Sequence, residues 1–333
     1  MAFKSSISWT DSSWVTVTGC TRVSEGCRFC FAERLTATRL SKSPKYAGLS
    51  VLTPGGEARW TNEVRLHPEC LDDPLHWRAP RRIFVNSMSD LFHEKVPFEF
   101  IDRVFAVMAL CPQHCFQVLT KRPERMAEYF DTKPGHAIGR AADALISMKF
   151  CTYDPGVSAP VLHPKRGLVA IMTGGTRRPD WPLPNVMLGT SCEDQAAADA
   201  RIPHLLRCPA AVRFLSLEPL LEPIDLDKSN ITVTPGFFGS CLRWHHRGRC
   251  HEQEGVAYPT IDLVIVGAES GPGARPMDLA WARSVRDQCR AAGVALFFKQ
   301  LSGPGGRAIK DIGQFPEDLR IQEWPVDKAA VAR

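Results

Sequence analysis

The sequence contains no run approaching the roughly 18 apolar residues that a membrane-spanning helix needs. Its first residues, MAFKSSISWTDSSW, lack the apolar stretch of a signal peptide. The expectation is a cytoplasmic protein with no membrane contact. Excess charge is also scarce. A net charge of +5 permits an anionic partner such as nucleic acid without singling one out. The chain has no complete phosphate-binding or dinucleotide-binding glycine pattern. A further shortage is the most informative. Three cysteines stand close together near the start of the chain, and there is no fourth beside them.

What is present suits a large soluble fold. The chain has 333 residues, 44% hydrophobic and 23% charged, enough to bury a full core. Twelve cysteines without a secretion signal do not read as a disulfide scaffold. In a reducing compartment, clustered cysteines are more often metal ligands or catalytic groups. Scattered ones, such as Cys111, Cys208 and Cys289, read as small core residues.

Taken in order, the chain alternates strand-like and helix-like segments. WVTVT at 14–18 reads as a strand, followed by the cysteine loop. A helix from Phe31 should turn Phe31, Leu35 and Leu40 inward and Glu33 and Arg34 outward. A weak second strand falls near 63–67. Further strands fall at 83–86, 116–120, 185–191, within AVRFLSLEPL, at 263–266 and within VALFFKQ. Between them, FEFIDRVFAVMAL, PERMAEYF, EDQAAADARIPHLL and DLAWARSVRDQCRAAG carry helical spacing. In the third of these, Asp199 and Arg201 should be exposed. Gly293 suits the end of the last. Residues 131–182 break the rhythm, with a hairpin near Leu168–Met172, and 225–258 break it again. A tail from about 302 should wrap the body. Strands alternating with helices imply a parallel sheet with right-handed crossovers. The expected architecture is α/β: one (β/α) barrel domain of TIM type over 1–333, complete or partial, with six to eight parallel strands and two insertions. A doubly wound open sheet is the alternative.

Polar residues recur just past the strands, where a barrel places its active site. They are Asn86, Ser87, Ser89 and Asp90; Lys121 and Arg122; Ser191, Glu193 and Asp194; Ser216 and Glu218; Glu269 and Ser270; and Lys299 and Gln300. The turn GAESGPG at 267–273 can let a ligand approach the backbone.

Cys20, Cys27 and Cys30 are spaced C-x6-C-x2-C, with Phe29 directly before the last. Three thiolates can hold a cluster that keeps one coordination position open, or a zinc ion closed by a ligand from elsewhere. The second half of the spacing and its place after the first strand resemble the C-x3-C-x-aromatic-C motif of radical S-adenosylmethionine enzymes. The first gap is longer here, six residues rather than three.

A wider resemblance rests on SISWTDSSWVTVTGCTRVSEGCRFCFAERL, RRIFVNSMSDLFHE, FQVLTKRPERM, VMLGTSCEDQ, VRFLSLEPLLEPI and DLVIVGAESGPGARPMD. These segments are similar to the phage-associated three-cysteine-motif proteins, a radical-SAM-like family. The resemblance implies that Cys20, Cys27 and Cys30 hold a [4Fe–4S] cluster whose fourth iron binds S-adenosylmethionine. It implies reductive cleavage of that molecule by a one-electron donor, and hydrogen abstraction from a substrate. Lys121 or Arg122 would pair its carboxylate. Glu193, Glu218 or Glu269, with Ser270, would face its ammonium or ribose hydroxyls. No single catalytic residue is assigned. A nucleic acid base is the preferred substrate, in repair or modification, and a partner protein is an open requirement.

Other readings stay open. Cys241, His245, His246, Cys250 and His251 form a C-x3-HH-x3-CH set that could bind zinc, though not with standard finger spacing. Arg59-Trp60, Trp77-Arg78 and Arg243-Trp244 could stack bases, or simply pack. His67, His76 and His93 read as structural or surface residues. The competing functions are a zinc-binding nucleic-acid protein without catalysis and a metal-dependent hydrolase using the strand-end carboxylates.

Overall fold

A computed structural model describes residues 5, 7–131, 151–152, 161–162, 182–227, 231–234, 237–242, 260–303 and 307–325. Its centre is one eight-stranded sheet whose strands lie side by side in chain order. They are β1 (Ser12–Trp14), β2 (Arg82–Val85), β3 (Cys115–Thr120), β4 (Val186–Ser191), β5 (Val212–Leu217), β6 (Leu263–Gly267), β7 (Ala295–Ser302) and β8 (Ala308–Ile309). The first seven run parallel, and β8 returns antiparallel on β7. The sheet does not close: β1 and β8 form its two edges. The complete form of the expected barrel is therefore not what the chain builds.

One expected strand never joins this sheet. Arg65–Leu66 pairs antiparallel with Val17–Thr18 instead. The predicted first strand is split between Trp14, on the sheet, and Val17, on this small ribbon. The cause is Asn86, which sits at φ 59 just past β2. Its side-chain oxygen accepts the amides of Thr16 and Val17 at 2.8 and 3.0 Å. Those amides are thereby taken from the β1–β2 ladder, and the chain turns away.

The helices are α1 (Phe31–Ala37), α2 (Phe98–Ala109), α3 (Pro123–Asp131), α4 (Gln195–Arg207) and α5 (Leu279–Ala292). Asp194 and Asp278 cap α4 and α5 by accepting the Ala197 and Ala280 amides. Gly293 ends α5 at φ 69, as its sequence position suggests.

The strands alternate residues between two faces, as period-two geometry requires. One face carries Ile83, Val118, Leu188, Leu215, Val264 and Phe298, packed with Val104, Met126, Ile202 and Val285 of α2 to α5. Cys111, Cys208 and Cys289 lie buried in that same core. The opposite face carries Cys115, Met187, Phe214, Ile265 and Phe297 around Trp9. Trp9 is closed in at 4.9 Å by Phe84 and 6.1 Å by Phe214, measured between ring centroids.

Beyond β7 the tail returns along the sheet. Gln322 bridges to Phe297, and the Glu323 amide donates to the Leu296 carbonyl. Short antiparallel hairpins pair Cys151–Thr152 with Val161–Leu162 and Ile231–Thr234 with Phe237–Gly239, within the two rhythm breaks. The hairpin expected near 168–172 lies outside the described residues.

Helix α1 departs from expectation at two positions, while Arg34 is exposed and Leu35 and Leu40 are half-buried. Phe31 is exposed and Glu33 is buried. Arg22 donates to Glu33 through Nε at 2.9 Å, and the Trp60 amide donates to it at 2.7 Å. The hairpin of Ser50–Leu52 and Ala58–Trp60 supplies that second partner and buries this side of the helix. A buried carboxylate is tolerated because it is paired and hydrogen-bonded.

Candidate functional site

Continuing each strand past its C-terminal end on the Trp9 face replaces apolar residues by polar ones. Lys121 follows Leu119, Ser191 and Glu193 follow Met187, Ser216 and Glu218 follow Phe214, and Lys299 follows Phe297. Every carboxylate in this row faces a cation. Glu193 is fully buried, 2.8 Å from Arg201 Nη1 and 3.5 Å from Lys121 Nζ. Burial alone would raise its pKa. The Lys121 charge and the Arg201 hydrogen bonds overcome that and hold it down at about 2. Arg201, expected to be exposed, is half-buried because Glu193 draws it in. Glu218 stands 2.9 Å from Lys299 Nζ. Glu269 accepts from the Arg275 backbone amide, Nε and Nη2 at 2.8, 3.0 and 2.7 Å. Ser270 follows it, half-buried. Gln300 is structural, donating to the Ala268 carbonyl across β6 and β7.

The cysteine loop lies across these strand ends and is fastened to four of them. At β2, Gly19 bridges to Ser89. At β3, Arg122 Nη2 donates to the Thr21 carbonyl at 3.2 Å and to its hydroxyl at 2.6 Å. The same guanidinium pairs Asp90 at 3.2 Å and Glu94 at 2.8 Å, and its Nη1 is 3.9 Å from Cys20 Sγ. At β4, Gly26 is pressed against Glu193, where a Cβ would stand 2.8 Å from the carboxyl carbon. Past β6, Arg275 Nη2 donates to the Glu25 carbonyl at 2.9 Å, and its guanidinium sits 5.4 Å from the Phe29 ring centre. Arg122 is thus fully engaged by the protein, whereas Lys121 has Glu193 as its ion-pair partner.

The three thiols sit close enough to influence one another. Burial pushes Cys20 up to about 12, helped by the Asp90 charge and by Cys30 and Cys27, while Arg122 pulls the other way. Burial also raises Cys30, the residue just before α1, against the Glu33 and Ala32 amides that favour its thiolate. Among the described residues, no three His, Cys, Asp or Glu side chains converge as ligands of one metal ion. Of the residues that could form a zinc set, Cys241 is buried and donates to the Leu226 carbonyl. His245, His246, Cys250 and His251 lie outside the described residues.

A family model described as a protein of unknown function, DUF5131, matches residues 4–315. The chain belongs to the DUF5131 family. No curated protein and no solved structure matches it. The DUF5131 match takes in the whole cysteine loop and all seven parallel strands with their polar ends.

Three partners in this DUF5131 site carry no motif of their own. His93 Nε2 lies 3.0 Å from the Thr21 hydroxyl, Arg275 ties Glu269 to the loop, and Arg201 neutralises Glu193. The only sequence signal for Arg275 is its place just after the glycine-rich turn. His93 and Arg201 give none. A separate cleft of about 670 Å³ opens at the opposite ends of β6 and β7, beside Asp262, Ala295, Glu323 and Trp324. Its acids already serve the backbone, Asp262 accepting from the Arg213 amide and Glu323 from the Leu296 amide.

Proposed function

We propose that this chain is a radical S-adenosylmethionine enzyme built on an incomplete (β/α) barrel. One observation carries the reading: the three-cysteine loop is laid over the polar C-terminal ends of the parallel strands and meets four of them, β2, β3, β4 and β6. The barrel reading is supported by strands in chain order and by α2 to α5 packing on one face only.

The donor set suits a [4Fe–4S] cluster. Soft thiolates are its ligands, and each cysteine takes a different iron, so the three need not converge on one point. Cys20, Cys27 and Cys30 would hold three irons and leave the fourth for S-adenosylmethionine. When bound, and supplied with an electron, such a cluster cleaves S-adenosylmethionine to a carbon radical that takes hydrogen from the substrate. The chain's own residues position the parts. Arg122 holds the Cys20 end of the loop, and Arg275 holds the stretch before Cys30. Lys121, half-buried beside Glu193, is the cation for the methionine carboxylate. Ser270, half-buried, offers a hydroxyl along the same rim.

The test is chemical. Protein purified without oxygen should contain about four iron and four sulfide per chain. A variant with Cys20, Cys27 and Cys30 all changed to Ala should contain neither. Adding reductant and S-adenosylmethionine should release 5′-deoxyadenosine. Stoichiometric zinc with no sulfide, and no cluster after reconstitution, would overturn the proposal.

A further inference from the structure

Thr21 follows the first cysteine of the loop, and its hydroxyl is met by two side chains from beyond β2 and β3. Arg122 Nη2 donates to Thr21 Oγ1 at 2.6 Å, and a guanidinium can only donate. His93 Nε2 is the second partner, at 3.0 Å. The direction of that bond is set on the other side of the ring. The Lys95 backbone amide donates to His93 Nδ1 at 3.1 Å, so Nδ1 carries no proton. Glu94 Oε2 stands 3.5 Å from Nδ1, too far to take a proton from it, and Oε1 serves Arg122 Nε. The imidazole is buried, and burial together with the Arg122 charge lowers its pKa and keeps it neutral. Its one proton is therefore on Nε2 and is donated to Thr21. A hydroxyl has two acceptor lone pairs and one proton. Both lone pairs of Thr21 Oγ1 are filled, so its own proton is left for a third group. Among the described residues no atom accepts it. The Cys20 sulfur is at hand. The guanidinium that holds the hydroxyl through Nη2 lies 3.9 Å from Cys20 Sγ through Nη1.

We infer that the Thr21 hydroxyl is the hydrogen-bond donor to the sulfur that Cys20 brings to the cluster, and that His93 and Arg122 aim it there by filling its lone pairs. Sulfur that carries negative charge is the better acceptor. Reduction adds negative charge, so a proton donated to sulfur favours the reduced state and raises the reduction potential. His93 acts through Thr21 and is a positioning residue. The inference rests on reading Cys20, Cys27 and Cys30 as cluster ligands. It adds what sets the ease with which the electron is taken up.

A redox titration of the full chain, followed by visible and electron paramagnetic resonance spectra, tests it without turnover. Thr21→Val keeps the shape of the side chain and removes the hydroxyl. It should make the cluster at least about tenfold harder to reduce, a midpoint about 59 mV lower, with iron and sulfide content unchanged. Thr21→Ser should keep the wild-type midpoint. His93→Leu leaves the loop sequence intact and should lower the midpoint in the same direction. His93→Gln, whose amide N–H can replace Nε2–H, should restore it. Heteronuclear NMR of the histidine side chains, with His93 assigned by its loss in His93→Gln, should show Nε2 protonated and Nδ1 bare. A proton on Nδ1 would make Thr21 the donor to His93 and overturn the inference. Equal midpoints in wild type and Thr21→Val would do the same. Should Thr21→Val assemble no cluster, equal midpoints in wild type and His93→Leu overturn it instead. Wild-type protein without iron and sulfide refutes the enzyme proposal and this inference together. A full cluster whose midpoint ignores Thr21 and His93 refutes this inference alone.

Discussion

Gly26 of the cysteine loop and Glu193 of the strand rim lie so close that one added methyl group would stand 2.8 Å from the Glu193 carboxyl carbon. Such a distance forces one partner to move. Glu193 is buried and held by Arg201 and Lys121, so the loop is the part that gives. Gly26→Ala should therefore leave the fold intact and lower the iron bound per chain, read by metal analysis beside an unchanged far-ultraviolet circular dichroism spectrum. Full iron content in this variant would show that loop and rim are not coupled.

Lys121→Ala and Arg122→Ala should separate two roles. Lys121→Ala is expected to weaken S-adenosylmethionine binding about tenfold with iron content unchanged. Arg122→Ala removes the loop's fastening and the counter-ion of buried Asp90. A loss of about 3–5 kcal/mol is expected on urea unfolding, together with iron loss. Equal S-adenosylmethionine affinity in Lys121→Ala and wild type would remove Lys121 from the site.

Glu193 gives a pH signature. Its folded-state pKa, about 2, lies below the ordinary glutamate value of 4.5. Its contribution to stability is therefore fully present above about 4.5 and is lost as pH falls towards 2. Glu193→Gln should remove that part of the slope between pH 4.5 and 2, leaving the share due to other carboxylates. Identical slopes for both proteins, measured by urea unfolding across that range, would show that Glu193 is not held ionised.

Trp9 closes the apolar side of the sheet below the polar rim. Trp9→Ala should cost about 3–5 kcal/mol in urea unfolding, the usual price of emptying a large aromatic site. A loss below about 1 kcal/mol would mean that this face is not a packed core.

Much of this was legible in the sequence because it depends on local pattern. Apolar runs such as Leu263–Val266 announce strands buried on both faces, and Gly293 and the spacing after Pro97 announce helix ends. The polar residues beyond each strand were visible for the same reason. The errors came where a distant segment decided the outcome. Glu33 reads as an outward charge until Arg22 and the hairpin ending at Trp60 are folded against it. Arg65 and Leu66 read as a strand of the main sheet until Asn86 turns the preceding chain away. His93, Arg201 and Arg275 belong to the site through tertiary contacts alone, and no spacing rule marks them.

The return of the tail along β7 has a bearing on how these molecules meet one another. An uncovered parallel edge offers a row of amides and carbonyls to any passing strand. Here β8, with the bridge at Gln322 and the Glu323 amide, answers that row along β7, and the other edge, β1, is only three residues long. Neither border gives a second molecule much length to extend. The sheet can remain open, with its rim free for chemistry, without becoming a template for its own aggregation.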